Sequence, residues 1–231
     1  MKHLYLFFLL FLVSIAYPQL SLNVIDFGAV GDGSTTNTSA IQTAIDSCFN
    51  AGGGEVVIDN GTYISSTIIL KSNVTLRVTT GTTLKALPNY SDFPDIPFNT
   101  PSWNDVYTKR SLIFAEDSNN IWITGGGTID GNGFQIAYLQ VAVKLRPYGL
   151  RLHNIVNLQI DSIKLRQAPQ WIAVIFGCRN VYVNNVNVYN QCFASNDGLD
   201  IDCCRNVLIE NSVFDTNDDP CPIKTHALDT C

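Results

Sequence analysis

Apolar residues recur along this chain in two rhythms. Ile41, Ala44, Ile45 and Cys48 fall at i, i+3, i+4 and i+7, the spacing that places side chains on one stripe of an α-helix. Asn37 or Thr38 stands where it can cap the start, and Gly52-Gly53-Gly54 where it can end the helix, so a helix over 38–50 is expected. Nearly everything after it reads as short runs of alternating apolar and polar residues with turn residues between them. That is the rhythm of β-strands.

Those runs share a form. Asn73-Val74-Thr75-Leu76, Asn120-Ile121-Trp122-Ile123, Asn157-Leu158-Gln159-Ile160, Asn180-Val181-Tyr182-Val183 and Asn206-Val207-Leu208-Ile209 each begin with Asn and place apolar residues at alternate positions. The steps from Asn157 to Asn180 and from Asn180 to Asn206 are nearly equal, and Cys178-Arg179-Asn180 recurs as Cys204-Arg205-Asn206. A repeat of that length, with several short strands and no helix in it, indicates a solenoid of β-coils. The chain holds 22 asparagines, many at strand ends, where Asn tolerates the left-handed backbone better than other side chains do. Leucine-rich repeats would need leucine ladders that are absent, and a sandwich does not require self-similarity. The expected fold is all-β, a right-handed parallel β-helix (solenoid) with an N-terminal capping α-helix that covers an otherwise open coil edge.

Composition then narrows the setting. At 46% hydrophobic and 15% charged residues the chain has ample core material and is not disordered. Its net charge of −6 argues against nucleic acid as a partner. Lys2 and His3, the apolar run Leu4 to Val13 and the small-x-small site Ser14-Ile15-Ala16 have the layout of a signal peptide over 1–16. A secreted, extracellular protein with one β-helix domain over 17–231 is expected, with no membrane span, since no later segment has the length and apolarity to cross a bilayer. Four sequons, at Asn37, Asn60, Asn73 and Asn89, suit a eukaryotic secretory route. Seven cysteines make disulfides plausible outside the cell, but an odd number leaves one thiol over. No Cys-x-x-Cys accompanies a His pair, so a zinc site is the weaker reading. Gly28-Ala29-Val30-Gly31-Asp32-Gly33 lacks both the dinucleotide spacing and the Lys-Ser/Thr of a phosphate loop; it reads as tight turns before the helix.

Acidic chemistry gathers near the end. Ser195-Asn196-Asp197-Gly198-Leu199-Asp200-Ile201-Asp202 is followed by Asp215-Thr216-Asn217-Asp218-Asp219. Matching Leu199-Asp200-Ile201 to Cys221-Pro222-Ile223 gives an offset of one coil, which sets Asp197 against Asp219 with Asp218 beside it. Neighbouring strands lie about 4.8 Å apart, so three carboxylates share a small patch, a costly arrangement unless a proton, a metal or a reaction uses it. General acid–base work on water and calcium chelation both fit. Asp200, Asp202 and Asp215 read instead as turn residues that cap local N–H groups.

These stretches resemble the polygalacturonase family of pectin-degrading glycoside hydrolases. Asp26-Phe27-Gly28-Ala29-Val30-Gly31-Asp32-Gly33 is shared with pectate-lyase-like proteins; Gly125 to Gly133, Arg146-Pro147 and Ala168-Pro169-Gln170-Trp171 are closer to the hydrolases. Asn196-Asp197-Gly198 resembles the family's Asn-Thr-Asp-Gly motif, and Asn217-Asp218-Asp219 its Gly-Asp-Asp motif. The resemblance implies a right-handed β-helix that cuts pectic polysaccharide with inversion and needs no metal or other cofactor. Asp218 would be the general acid, and Asp197 and Asp219 would activate water. Trp171, one coil before Asp197, is the candidate for stacking on sugar unless it is a core aromatic. Lys224 is the candidate cation for the substrate, with Arg166 and Arg205 also near in sequence. The family's Gly-His-Gly and Arg-x-Lys motifs are not found, and His226 does not stand between glycines. A domain incomplete at its C-terminal end, acting as a monomer, is the resulting expectation. The competing readings are a calcium-dependent polysaccharide lyase and a carbohydrate-binding or inactive β-solenoid.

Overall fold

In the computed structural model, residues 20–97, 99, 108–135, 138 and 140–226 are described; the expected signal peptide lies outside them. After β1 (Ser21–Asn23), β2 (Asp32–Thr36) and α1 (Thr38–Asn50), the chain winds through coils of two or three strands. These are β3 (Gly54–Ile58), β4 (Thr62–Ser65) and β5 (Ile68–Ile69); β6 (Val74–Val78), β7 (Thr83–Ala86) and β8 (Ser111–Glu116); β9 (Asn119–Thr124), β10 (Thr128–Asp130) and β11 (Tyr148–His153). Then follow β12 (Val156–Arg166) and β13 (Ala173–Phe176); β14 (Arg179–Asn190) and β15 (Leu199–Asp202); and β16 (Arg205–Glu210), β17 (Val213–Thr216) and β18 (Ile223–Lys224). Every strand pairs in parallel with its counterpart one coil away. β12 and β14 are long enough to serve two faces each, so a 12-stranded sheet wraps two sides and a 6-stranded sheet, β5-β8-β11-β13-β15-β18, makes the third. The fold is the expected right-handed parallel β-helix.

Alternation does the packing. On each face every second residue points inward, and parallel register stacks equivalent residues along the axis. Val56, Leu76, Ile123, Ile160 and Val183 form one column, and Tyr63, Leu84, Ile129, Leu165 and Val188 a second. Ile68, Ile113, Leu150, Ala173 and Leu199 form the third. All belong to one buried core. Helix α1 joins it through Ile41, Ala44, Ile45 and Cys48, the predicted stripe, and packs on β1, β3, β5 and β6. Asn37 stands at the N-cap position, its backbone carbonyl accepting from Ile41 N at 3.0 Å, but its side chain makes no cap bond. Its amide is drawn into the preceding loop, accepting from Val30 N and donating to Val30 O and Thr35 O at 2.7–3.0 Å. The hydroxyl of Thr38 instead accepts from Ser66 N at 2.8 Å.

The recurring asparagines have a common task. Asn73, Asn120, Asn157, Asn180 and Asn206 all adopt φ between 55° and 63°. Each later amide donates Nδ2–H to the Oδ1 of the one before, at 2.8, 2.8, 2.9 and 3.0 Å. A side-chain ladder thus runs up the turn that opens each coil. Replacing the middle rung, Asn157→Ala, removes two hydrogen bonds and forces an alanine into left-handed backbone, an expected loss of about 2–3 kcal/mol in urea unfolding. Asn157→Gly keeps the backbone and should lose about 1 kcal/mol; equal losses would show that backbone conformation contributes nothing there.

Candidate active site

The third face carries charge on its outer side. Leu199 and Ile201 point into the core, so Asp200 and Asp202 point outward, yet both are 0% exposed. Neither is a turn residue, which corrects the expectation drawn from composition. The outward columns are Phe114, Arg151, Val174 and Asp200, and Glu116, His153, Phe176, Asp202 and Lys224. A chain excursion meets them at Arg151 and Glu116, and residues of the next coil meet them at Asp200 and Asp202. Ile96 and Asn99, from the excursion between β7 and β8, bond to Arg151 and Glu116.

The register of the last two coils is the one inferred from sequence. Ile201 pairs with Ile223 and Asp202 with Lys224, and Gly198 N donates to Asp219 O at 2.9 Å while Asp218 N donates to Asn196 O at 3.3 Å. Asp197 therefore lies one coil from Asp219, with Asp218 alongside. Gly198 is required by this approach, since a Cβ there would collide with the carbonyl oxygen of Pro220. Two buried amides fix the turn ahead of Asp197. Asn196 donates to Ala168 O and Gln170 O at 2.9 and 2.8 Å. Asn190 donates to Gln170 O and Asp197 O at 3.1 and 2.9 Å.

A cleft of about 530 Å³ opens here, lined by Tyr148, Gln170, Trp171, Asp197 and Asp218 among others, with Lys144 at its edge. Asp219 is close in backbone but its side chain does not line the cleft. Trp171 stacks on Tyr148 with centroids 5.5 Å apart and 20° between the rings, so it is both a cleft wall and a stacked aromatic. Lys224 lies beneath the wall, its ammonium 3.6 Å from the Trp171 ring centroid, 3.2 Å from Asp197 Oδ2 and bonded to Asp200 Oδ1. His226 is taken up by Asp202 through Nδ1 and its backbone N–H, at 2.8 and 2.9 Å. Asp215 lies on exposed β17, bonded to Gln191, and Arg166 reaches Asn187; neither lines the cleft. Lys144 does, and the sequence gives no sign of it, because nothing local marks which residue of a long excursion returns to the cleft.

One ammonium serves two carboxylates in this cluster. Burial raises the Asp197 pKa, Lys224 opposes the rise and Asp218 adds to it. Burial raises Asp200 further, to about 8, against the pull of Lys224 and with a push from Asp197. The deeper carboxyl thus holds its proton well into the neutral range. The unfolded Asp titrates near 3.9, so between there and about 8 the folded chain holds a proton that the unfolded chain has lost. Stability from this group is complete at low pH and is lost as pH rises through the folded pKa. His153 acts in the opposite sense, because burial lowers its pKa to about 3 and acidification below about 6.5 destabilises the fold. Above about pH 6.5 the Asp200 effect stands alone of the two. The melting temperature should fall from about pH 6.5 to about 8.5, and fall less steeply in Asp200→Asn. Equal slopes by calorimetry would mean that Asp200 is ionised throughout.

Comparison with known proteins places this arrangement. The profile of glycosyl hydrolases family 28 matches residues 48–228. The exo-poly-alpha-D-galacturonosidase of Dickeya chrysanthemi is 30% identical over 256 residues, covering 88% of this chain and 42% of its own. Among solved structures, the exopolygalacturonase of Thermotoga maritima superposes with a TM-score of 0.76 at 25% identity, over 90% of this chain and 55% of that one. The family 28 exopolygalacturonase of Yersinia enterocolitica gives 0.73 at 28% identity, over 90% and 45%. The chain spans less than half the length of the curated relative it matches.

Proposed function

Because the chain belongs to glycosyl hydrolases family 28, we propose that it hydrolyses α-1,4-galacturonosidic or related bonds of pectin-type polysaccharides outside the cell, with inversion. The observation that supports this best is the one-coil stacking of Asp197 on Asp218–Asp219 at a cleft walled by Trp171 and Tyr148. Asp218, exposed in the cleft, donates a proton to the glycosidic oxygen. Asp197 holds the water that attacks the opposite face of the sugar, the division of labour of inverting glycosidases, with Asp219 one coil away and outside the cleft lining. Lys224 opposes the rise that burial imposes on the Asp197 pKa and so favours its basic form, while Asp200 retains a proton. The Trp171–Tyr148 pair offers a flat apolar face for a sugar ring. Lys144 makes no salt bridge with any described residue and is the cleft cation that a uronate carboxylate meets; Lys224 is engaged by two aspartates.

Calcium-dependent elimination would need Asp197, Asp218 and Asp219 as ligands, and the first of these already holds the Lys224 ammonium. Among the described residues no helix is long and apolar enough to cross a membrane, in keeping with release from the cell.

The test is incubation of the chain with polygalacturonate. Reducing ends should appear with no unsaturated product in the near ultraviolet, and proton NMR should show the β-anomer forming first from the α-linked polymer. Unsaturated, chelator-sensitive products would assign a lyase. Binding of the polymer without any cleavage would assign a carbohydrate-binding module.

A further inference from the structure

The first rung of the asparagine ladder differs from the others. Asn73 is exposed and accepts from Asn120 at 2.8 Å, but its Nδ2 has no hydrogen-bond partner among the described residues. The coil before it offers none, because the preceding rung falls on Gly53. That glycine has φ +118° and a Cβ on it would stand 2.5 Å from Asn73 O. Asn73 is also the only rung followed two residues later by Thr or Ser; the others are followed by Trp122, Gln159, Tyr182 and Leu208. The sequon thus coincides with the one ladder amide whose Nδ2 donates no hydrogen bond to a described residue. The other sequons are less open: Asn37 is 2% exposed with its amide spent on Val30 and Thr35, and Asn60 and Asn89 bond to Asp59 and Asp92.

Beside Asn73 lies a groove of about 320 Å³, lined by Thr75, Trp122, Asn157 and Gln159 among others. Thr75 pairs with Trp122 in the next coil, and Trp122 with Gln159. Trp122 is 38% exposed between Thr75 and Gln159, an aromatic surface with the amides of Asn73 and Gln159 in the same groove, suited to stacking on a neutral sugar ring.

We propose that Asn73 is an N-glycosylation site when the chain passes through a eukaryotic secretory pathway, and that the groove at Trp122 beds the first sugars of that glycan. In the transfer, Asn73 Nδ2 bonds to C1 of the N-acetylglucosamine at the reducing end of a lipid-pyrophosphate oligosaccharide. The C1–O bond to pyrophosphate breaks, lipid pyrophosphate leaves and the amide proton passes to the host transferase. Oδ1 is untouched, so the bond from Asn120 survives and the ladder stays whole. The inference is independent of the hydrolase reading.

The test expresses the full chain in insect cells and, as an unglycosylated reference, in bacteria. Glycopeptide mass spectrometry should find Asn73 occupied in most molecules and Asn37 bare, and Thr75→Val should erase the Asn73 glycan alone. Asn73 left bare, or Asn37 occupied in folded protein, would overturn the site. The insect-cell protein should melt about 2 °C above the bacterial one, and Trp122→Ala should remove most of that gap, as a stacking contact of this size requires. An unchanged gap in Trp122→Ala would overturn the bed.

Discussion

Asp218→Asn is expected to lower turnover of polygalacturonate by about 10²–10⁴-fold, the range for loss of a general acid, while the melting temperature stays within about 1–2 °C of the parent. The effect is local. Asp218 lines the cleft and is exposed, so its carboxylate supports no packing. Its backbone holds the coil through N–H to Asn196 O and through its carbonyl, which accepts from Thr216; Asn preserves both. An amide cannot deliver a proton to a leaving oxygen, so kcat falls with little change in KM. Reducing-end assays with several substrate concentrations decide it. A variant that keeps a tenth or more of the parental rate would remove Asp218 from the role of acid.

Lys224→Met is the second large effect. It deletes the sole ammonium in contact with Asp197 and Asp200 among the described residues, leaving two buried carboxyls with no cation between them. Lys224 now lowers the pKa of both. Without it both rise, and Asp197 is protonated over more of the acidic range. The acidic limb of kcat/KM should therefore move to higher pH, by about one unit or more, with a rate loss of about 10²-fold below it. Methionine preserves length and contact with the Trp171 ring, so folding should persist. A variant whose KM rises while its pH profile stays in place would show instead that Lys224 acts on the substrate directly.

The stripe Ile41, Ala44, Ile45 and Cys48 became the buried side of α1 because a helix leaves no other way to hide those four residues together. The Asn-led repeats became coils because five left-handed corners stacked in register let their amides bond in sequence, whatever the length of chain between them. The one-coil offset between Asp197 and Asp219 held because register in a solenoid follows the core columns, and those are written in the alternation of Leu199 and Ile201. Asp200 and Asp202 look like turn residues by composition, although the same alternation runs through them. The pattern assigns them to the outer face; it does not say what lies over that face.

Short-range alternation and repeat length were therefore enough for the coil, its period, the inward columns and the pairing that brings Asp197 to Asp218 and Asp219. The electrostatics came from elsewhere. The bond that Ile96 makes to buried Arg151 and the return of Lys144 to the cleft depend on excursions distant in sequence, while the partners of buried Asp200 and Asp202, Lys224 and His226, come from the next coil. Desolvation is the largest cause of the shifts at Asp200, Arg151 and His153, and it is a property of what covers a residue, not of its neighbours along the chain.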